Sequence, residues 1–338
     1  MVCGDAPAGV PGDLYRLYLV LLHSEKPVVT GAFSASTLPP MLALLAAERR
    51  HVEALAAPGC YRAVFDVCPS PPLFWTEFAA RNLIHLARAG VPAEIISMPL
   101  AGAAAPVSLV GAVTQHAAEC LSGIAIHQLA SPDAPVVWGG APAIFDMRAG
   151  TTPMGAIETA MICASYAQVG KRLGLPTHAY LGASDAKTLD AQAGLEAGLT
   201  ALVGALAGIN MISGAGMLDF LACQSAEKLV LDAEGIAMVQ RLRRGVNGEY
   251  PSLALEAFAQ AGPAGEFLKL PETRRLFRQE QYLPSKVIDR GSIRAWQEAG
   301  APSAAERARL RVEELVASYR LPELSPVLRN ALEECLKG

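Results

Sequence analysis

Charge is scarce in this chain of 338 residues: Lys, Arg, Asp and Glu together make up 18%, and the formal net charge is −4. Nucleic acid or an anionic membrane surface calls for clustered Lys and Arg, so neither partner is expected. Cysteines are few and scattered, at positions 3, 60, 68, 120, 163, 223 and 335, with no CxxC pair. No His/Cys spacing of the zinc type occurs, so no tightly bound metal is expected. The dispersed thiols read as reduced, mostly buried small hydrophobes of a cytoplasmic protein. Also missing is an uninterrupted apolar run of about 18 residues, the length a membrane helix needs; Gly, Pro or charge breaks each alanine-rich stretch first. The N-terminus has Asp5 and Asp13 where an export signal would have a basic segment leading into an apolar one. Finally, there is no GxxxxGK[ST], GxSxG or HExxH, which argues against phosphoryl transfer, serine hydrolysis and zinc peptidase chemistry.

What the chain has in quantity is apolar surface. Hydrophobic residues make up 52% and mean hydropathy is +0.29, enough for an extensive core in one large α/β domain. Short β-branched or apolar runs recur at 26–33 (KPVVTGAF), 61–67 (YRAVFDV), 93–99 (AEIISMP), 134–140 (APVVWGG), 177–183 (THAYLGA) and 209–216 (INMISGAG). Between them lie stretches with helical spacing, such as 38–57 and 72–90. This alternation predicts βα units and a parallel sheet. The unbroken apolar character of the runs predicts that both sheet faces are covered, as in a barrel or a doubly wound sheet. The expected organisation is a helical lead-in over 1–25, βα units over 26–218, and closing helices with a helical extension over 219–338. Six strand candidates fall short of the eight in a closed barrel.

Ligands collect at the carboxyl ends of parallel strands, so polar residues just after each run are the candidates for chemistry. Asp146 and Arg148 follow the fourth run among permissive glycines; an ion pair that only orders the loop is the alternative. The densest polar cluster, Asp185, Lys187, Asp190 and Gln192, follows the fifth run, where Asp190 and Ser184 could instead cap a helix. His178 and Tyr180 lie two apart in a strand and so share a face; a satisfied core histidine is the alternative for His178. Gly214 and Gly216 form a GxG at the sixth strand end, but Asp219 stands where the dinucleotide fingerprint has its third glycine, so no nicotinamide cofactor is expected. Asp219, Glu227 and Lys228 are expected at the rim. The segment 98–120 joins a small-residue loop to a helix carrying Gln115, His116 and Glu119. For an aldolase-type barrel, Lys187 is the candidate Schiff-base lysine.

Taken in order, KPVVTGAF, PLAGAAAPVSLVGAVTQHAAECLSGIAIHQL, PVVWGGAPAIFDMRAGTTPMGAIETAM, GLPTHAYLGASDAKTLDAQAG and ALAGINMISGAGMLDFLACQSAEKLVLDAE resemble the trimethylamine methyltransferase family, as does the chain from LFRQEQYLPSK onward. The resemblance implies an α/β fold: a TIM (β/α)8-type barrel with a helical C-terminal extension. Family members carry a further N-terminal segment contributing the first strands, so this chain is expected to be N-terminally truncated. The implied activity moves a methyl group from a small methylated amine to the Co(I) of a corrinoid held by a partner protein, with no cofactor bound tightly to this chain. A homo-oligomer is expected. Every position is an ordinary residue, with no pyrrolysine, which points to the branch resembling glycine betaine methyltransferases and to a quaternary amine such as a betaine. Under this reading the expected catalytic residues are Asp146, Asp185 and Lys187. Arg148, His178, Tyr180, Asp190, Gln192, Gly214 and Gly216 are expected to bind substrate: carboxylates balance its cation, aromatic faces hold it, and Arg148 or Lys187 receives a betaine carboxylate. The alternative is a catalytically incomplete relative that binds a methylated amine or a corrinoid protein without turnover.

Overall fold

A computed structural model describes residues 6–55, 57–246, 254–263 and 265–337. Its first half alternates as expected: α1 (Gly12–His23), β1 (Val28–Thr30), α2 (Leu38–His51), β2 (Ala63–Val67), α3 (Glu77–Ala89), β3 (Ala93–Ser97), β4 (Leu100–Ala101) and α4 (Leu109–Ala130). It continues through β5 (Val136–Gly140), β6 (Ala143–Ile144), α5 (Ile157–Arg172), β7 (His178–Ala179), α6 (Ala191–Leu206), β8 (Met211–Ile212), β9 (Met217–Leu218), β10 (Cys223–Gln224) and α7 (Ala226–Arg243). Helices dominate thereafter: α8 (Leu255–Ala261), α9 (Pro271–Glu280), α10 (Ile293–Glu298), α11 (Ala304–Ser318) and α12 (Pro326–Lys337).

All six predicted strands form, each shorter than its apolar run, and they lie side by side in chain order. β1, β2, β3 and β5 are parallel neighbours, a parallel bridge from Trp138 to Thr177 leads on to β7, and β7 pairs parallel with β8, His178 opposite Met211. The chain is therefore an α/β protein built on parallel strands. Short pieces continue the sheet at its carboxyl side: β4 beside β6 in parallel, and β9 against β10 antiparallel.

The helices are set by caps as much as by periodicity. Thr76 accepts the Ala79 N–H to start α3, and Gly90 ends it at φ 65°. A left-handed φ suits a residue without Cβ, so a glycine there stops the helix cleanly. Asp190 opens α6 and Ser225 opens α7 in the same manner as Thr76, and Ser303 with Glu306 forms a capping box on α11. Helix α4 is long and apolar enough, by length and composition alone, to cross a membrane. Here its buried side, His116, Glu119, Cys120, Gly123 and His127, faces the protein.

Between the sheet and the helices lies a core of Phe65, Ile95, Leu83, Leu86, Trp138 and Tyr166, all fully buried. It has polar fastenings. His116 stacks on Tyr166 at 4.1 Å between ring centroids and meets Trp138 edge-on. The Trp138 Nε1–H donates to the Tyr166 carbonyl at 3.0 Å, and the Tyr166 hydroxyl lies 2.7 Å from the His178 carbonyl and 3.0 Å from that of Gly140. Glu119 of α4 accepts from the Ser97 hydroxyl at 2.5 Å and the Leu73 N–H at 2.8 Å.

Two expectations need correction. Lys228 is not a rim residue: it is fully buried, donating to Asp232 and to the Gly182 carbonyl. One helical turn separates it from Asp232, so the two neutralise each other inside the protein. Nor are most thiols buried. Cys120 and Cys163 are, Cys68 and Cys335 are half-buried, and Cys60 and Cys223 are exposed; Cys3 lies outside the described residues.

Trp138 joins β5 to α4 and α5, so Trp138→Ala should lower stability by about 3–5 kcal/mol through the cavity it leaves. Urea unfolding measures this, and a loss below about 1 kcal/mol would show that the aromatic stack is not a principal support of the helix layer.

Candidate functional site

Side chains on neighbouring strands point to the same face when they are register partners. Asp66 of β2 faces Glu94 of β3, and Ile96 faces Gly139 of β5. Continuing across the sheet, His178 follows on β7, Tyr180 just after it, and Ser213 just after β8. This face is turned away from the packed helices, and it carries a connected polar cluster. The Tyr180 hydroxyl donates to Asp66 Oδ2 at 3.1 Å. His178 Nδ1 meets Glu94 Oε1, and His178 Nε2 lies 2.5 Å from Ser213 Oγ. A neutral imidazole satisfies both contacts if Nδ1–H donates to the carboxyl and Nε2 accepts from the serine hydroxyl. The rings of His178 and Tyr180 meet edge-on at 5.0 Å.

Burial governs the electrostatics. Glu94 and His178 have no exposed surface, and loss of water disfavours whichever form is charged. Burial, reinforced by the charge of Glu94, pushes the Asp66 carboxyl well above the usual carboxylate range. Burial likewise raises the Glu94 carboxyl and holds His178 down at about 4. The Tyr180 hydroxyl is raised by the same desolvation and by Asp66. This set can balance a cation, enclose it with ring faces and relay a proton along Ser213, His178 and Glu94. Among the described residues, no group of three or more His, Cys, Asp or Glu has the arrangement of a metal site.

Of the residues singled out in the sequence, the structure brings His178 and Tyr180 into this cluster. The others divide into separate arrangements. Asp146 binds the Arg148 guanidinium at 2.9 Å and accepts the Arg148 N–H, which orders the loop after β6. That charge-assisted contact holds Asp146 at about 2. Asp185, Lys187, Asp190 and Gln192 line a shallow hollow of about 550 Å³ together with Pro153, Glu196 and Phe220. Within it Asp185 accepts the backbone N–H groups of Met154 and Gly155 at 2.8 and 3.0 Å. Lys187 sits 3.1 Å from Asp219 and over the Phe220 ring. Asp219, Phe220 and Leu221 are successive non-glycine residues at positive φ, so Lys187 clamps a strained turn. Asp190 caps α6, and Gln192 donates to Glu196. Gly214 is where the backbone after β8 touches the backbone after β7: a Cβ there would collide with Leu181 and Ala183. Gly216, at φ +81°, offers its N–H to Asp232 at 2.7 Å.

Sequence reasoning missed Asp66, Glu94 and Ser213. Their signal was a lone carboxyl inside each of two consecutive apolar strands, a pattern that solvent-facing residues of a doubly covered sheet do not produce.

The family model described as Trimethylamine methyltransferase (MTTB) matches residues 9–337. Trimethylamine methyltransferase MttB of Methanosarcina barkeri is 37% identical over 257 residues, covering 75% of this chain and 51% of its own length. The protein of that name from Desulfitobacterium hafniense (strain DSM 10664 / DCB-2) is 34% identical over 80% of this chain and 55% of its own. Glycine betaine methyltransferase of Desulfitobacterium hafniense (strain Y51) is 32% identical over 78% of this chain and 54% of its own. The chain spans about half the length of the curated relatives it matches.

His178 should remain neutral well below the usual imidazole range. Because its folded value of about 4 lies below the ordinary imidazole value of 6.5, the unfolded chain takes up a proton first as the solution is acidified. Its contribution to stability is therefore complete above about 6.5 and is lost as pH falls toward 4. Imidazole NMR titration reads this directly: a His178 midpoint above 6 would contradict the enclosed, neutral ring.

Proposed function

Because this chain belongs to the trimethylamine methyltransferase family, we propose that it takes part in moving a methyl group from a methylated amine to the Co(I) of a corrinoid carried by a partner protein, on strands of a TIM-type barrel. The observation that carries the reading is the inward cluster of Asp66, Glu94, His178, Tyr180 and Ser213. It brings two carboxyls and two aromatic rings together on one face of a parallel sheet. Among the described residues, β1, β2, β3, β5, β7 and β8 contain no Lys or Arg.

A methylated ammonium has few or no N–H donors, so its recognition rests on charge and on ring faces. Asp66 and Glu94 offset the loss of its hydration, and Tyr180 and His178 confine it. The corrinoid supplies the cobalt nucleophile. The chain's own task is to hold the nitrogen in place so that one methyl points outward, and to keep water away. Exposed apolar residues suit a partner that would cover the site: Phe33, Leu73, Phe74, Met98, Val107 and Met147 all follow strand carboxyl ends. Gly102 lies against both Val107 and Met147, which brings the last two together. A betaine would add a carboxylate, and Arg148 and Lys187 could receive it by exchanging their contacts with Asp146 and Asp219.

The experiment is to mix the protein with a corrinoid protein reduced to Co(I) and with trimethylamine, tetramethylammonium or glycine betaine in turn, following the cobalt spectrum. Methyl-Co(III) should form with at least one of them. Glu94→Gln should slow it on the order of 100-fold, equivalent to roughly 3 kcal/mol of lost charge compensation, with an unchanged circular dichroism spectrum. Amine binding without any methyl-Co(III) would replace this reading with that of a non-catalytic binder. Absence of both would remove the cluster from amine chemistry.

A further inference from the structure

The two carboxyl groups of the cluster each leave one oxygen without a partner. Asp66 Oδ1 and Glu94 Oε2 are buried and accept from no donor, whereas Asp66 Oδ2 is held by Tyr180 and Glu94 Oε1 by His178. Asp66 and Glu94 are register partners on adjacent strands, and each bears on the ionisation of the other. Two carboxylates cannot hydrogen-bond to one another, because both only accept; a carboxylic acid and a carboxylate can. A single proton shared by the pair would allow such a bond where both groups otherwise only accept.

The surroundings favour such a proton. The titratable groups facing the pair are Cys68 just after β2, His178 on β7 and Tyr180 just after it; through the sheet it is felt by Cys120 of α4 and Tyr166 of α5. None of these is a cation at neutral pH. The buried Lys228 is already committed to Asp232 and the Gly182 carbonyl. Two unscreened negative charges side by side would be costly, and one proton removes the second charge.

We propose that Asp66 and Glu94 share one proton in the ligand-free protein and that a quaternary ammonium ion entering the site displaces it. The inference rests on reading the cluster as a methylated-amine site. The balance is simple: one carboxylic acid and one carboxylate become two carboxylates beside one bound cation, and one proton passes to solvent. Neutral ligands of the same shape gain nothing from this exchange. Charge is therefore selected by proton release, and the empty site holds one buried negative charge in place of two.

The test has one arm without ligand and one with it. In the infrared spectrum of the free protein at pH 7, a protonated carboxylic acid should be visible, and its band should shift or be lost in both Asp66→Asn and Glu94→Gln. In the second arm, tetramethylammonium chloride is titrated calorimetrically in two buffers of different ionisation enthalpy. About one proton should be released per ion bound, and affinity should rise about tenfold per pH unit between 6 and 7 and flatten above the pair's own ionisation. Either variant, folded by circular dichroism, should lose the pH slope. Absence of the acid band, or binding without proton release, overturns the proposal while leaving the amine-site reading intact. If the band is present and no methylated ammonium binds, the exchange and the amine-site reading both fall while the shared proton stands.

Discussion

Glu94 occupies the second position of β3 with none of its surface exposed, and a carboxyl in such a place costs several kcal/mol unless its surroundings answer it. Much of the architecture around the strand ends can be understood as that answer. The neighbouring strand has a glycine at position 139, where a methyl group would land on the Glu94 carboxylate. The next strand supplies His178, whose other nitrogen engages Ser213. Behind the sheet, His116 contacts the Gly139 carbonyl at 2.9 Å, and Tyr166 holds the carbonyls of Gly140 and His178. The helix layer thus fixes the backbone of β5 and β7, the strands on which the cluster depends.

A second polar system lies at the rim and obeys different physics. Arg148 with Asp146, and Lys187 with Asp219, are water-exposed pairs, worth little individually to stability because solvent screens them. Their value is local order: one ties a loop, the other clamps a turn of three left-handed residues. Such contacts can be exchanged for a ligand at small cost, which the buried pair Lys228 and Asp232 cannot do.

The six strands and their parallel order were legible because each is a short apolar run bounded by Gly, Pro or charge, and because helical spacing separates them. Their true ends were not legible. The run 177–183 yields only His178–Ala179 as strand, since beyond it the backbone leaves the ladder to meet the loop after β8 at Gly214. Site reasoning concentrated on polar residues just after strands, and so reached Asp185, Lys187 and Asp190, which the fold uses to cap and bridge. Asp66 and Glu94 escaped notice because they lie inside strands, where register, not local composition, brings them together. His178 and Tyr180 were found by their spacing of two, but their partners 114 and 84 residues away, Asp66 and Glu94, could not be read from local pattern.

Helix α12 packs on α2 and α1, and α11 on α7, while the Tyr319 hydroxyl reaches the His23 carbonyl across 296 residues of sequence. The helical extension therefore fastens one flank of the sheet to the other like a buckle on a belt. Contacts so distant in sequence reward the chain only after a long loop has been closed. On a ribosome, α1 and α2 would emerge and wait, with Leu328 and Leu332 of α12, both buried in the folded protein, arriving only after the intervening strands and helices had been made. Until then their apolar face stays open to unwanted partners, and completion of this fold is tied to the timing of synthesis as well as to its energetics.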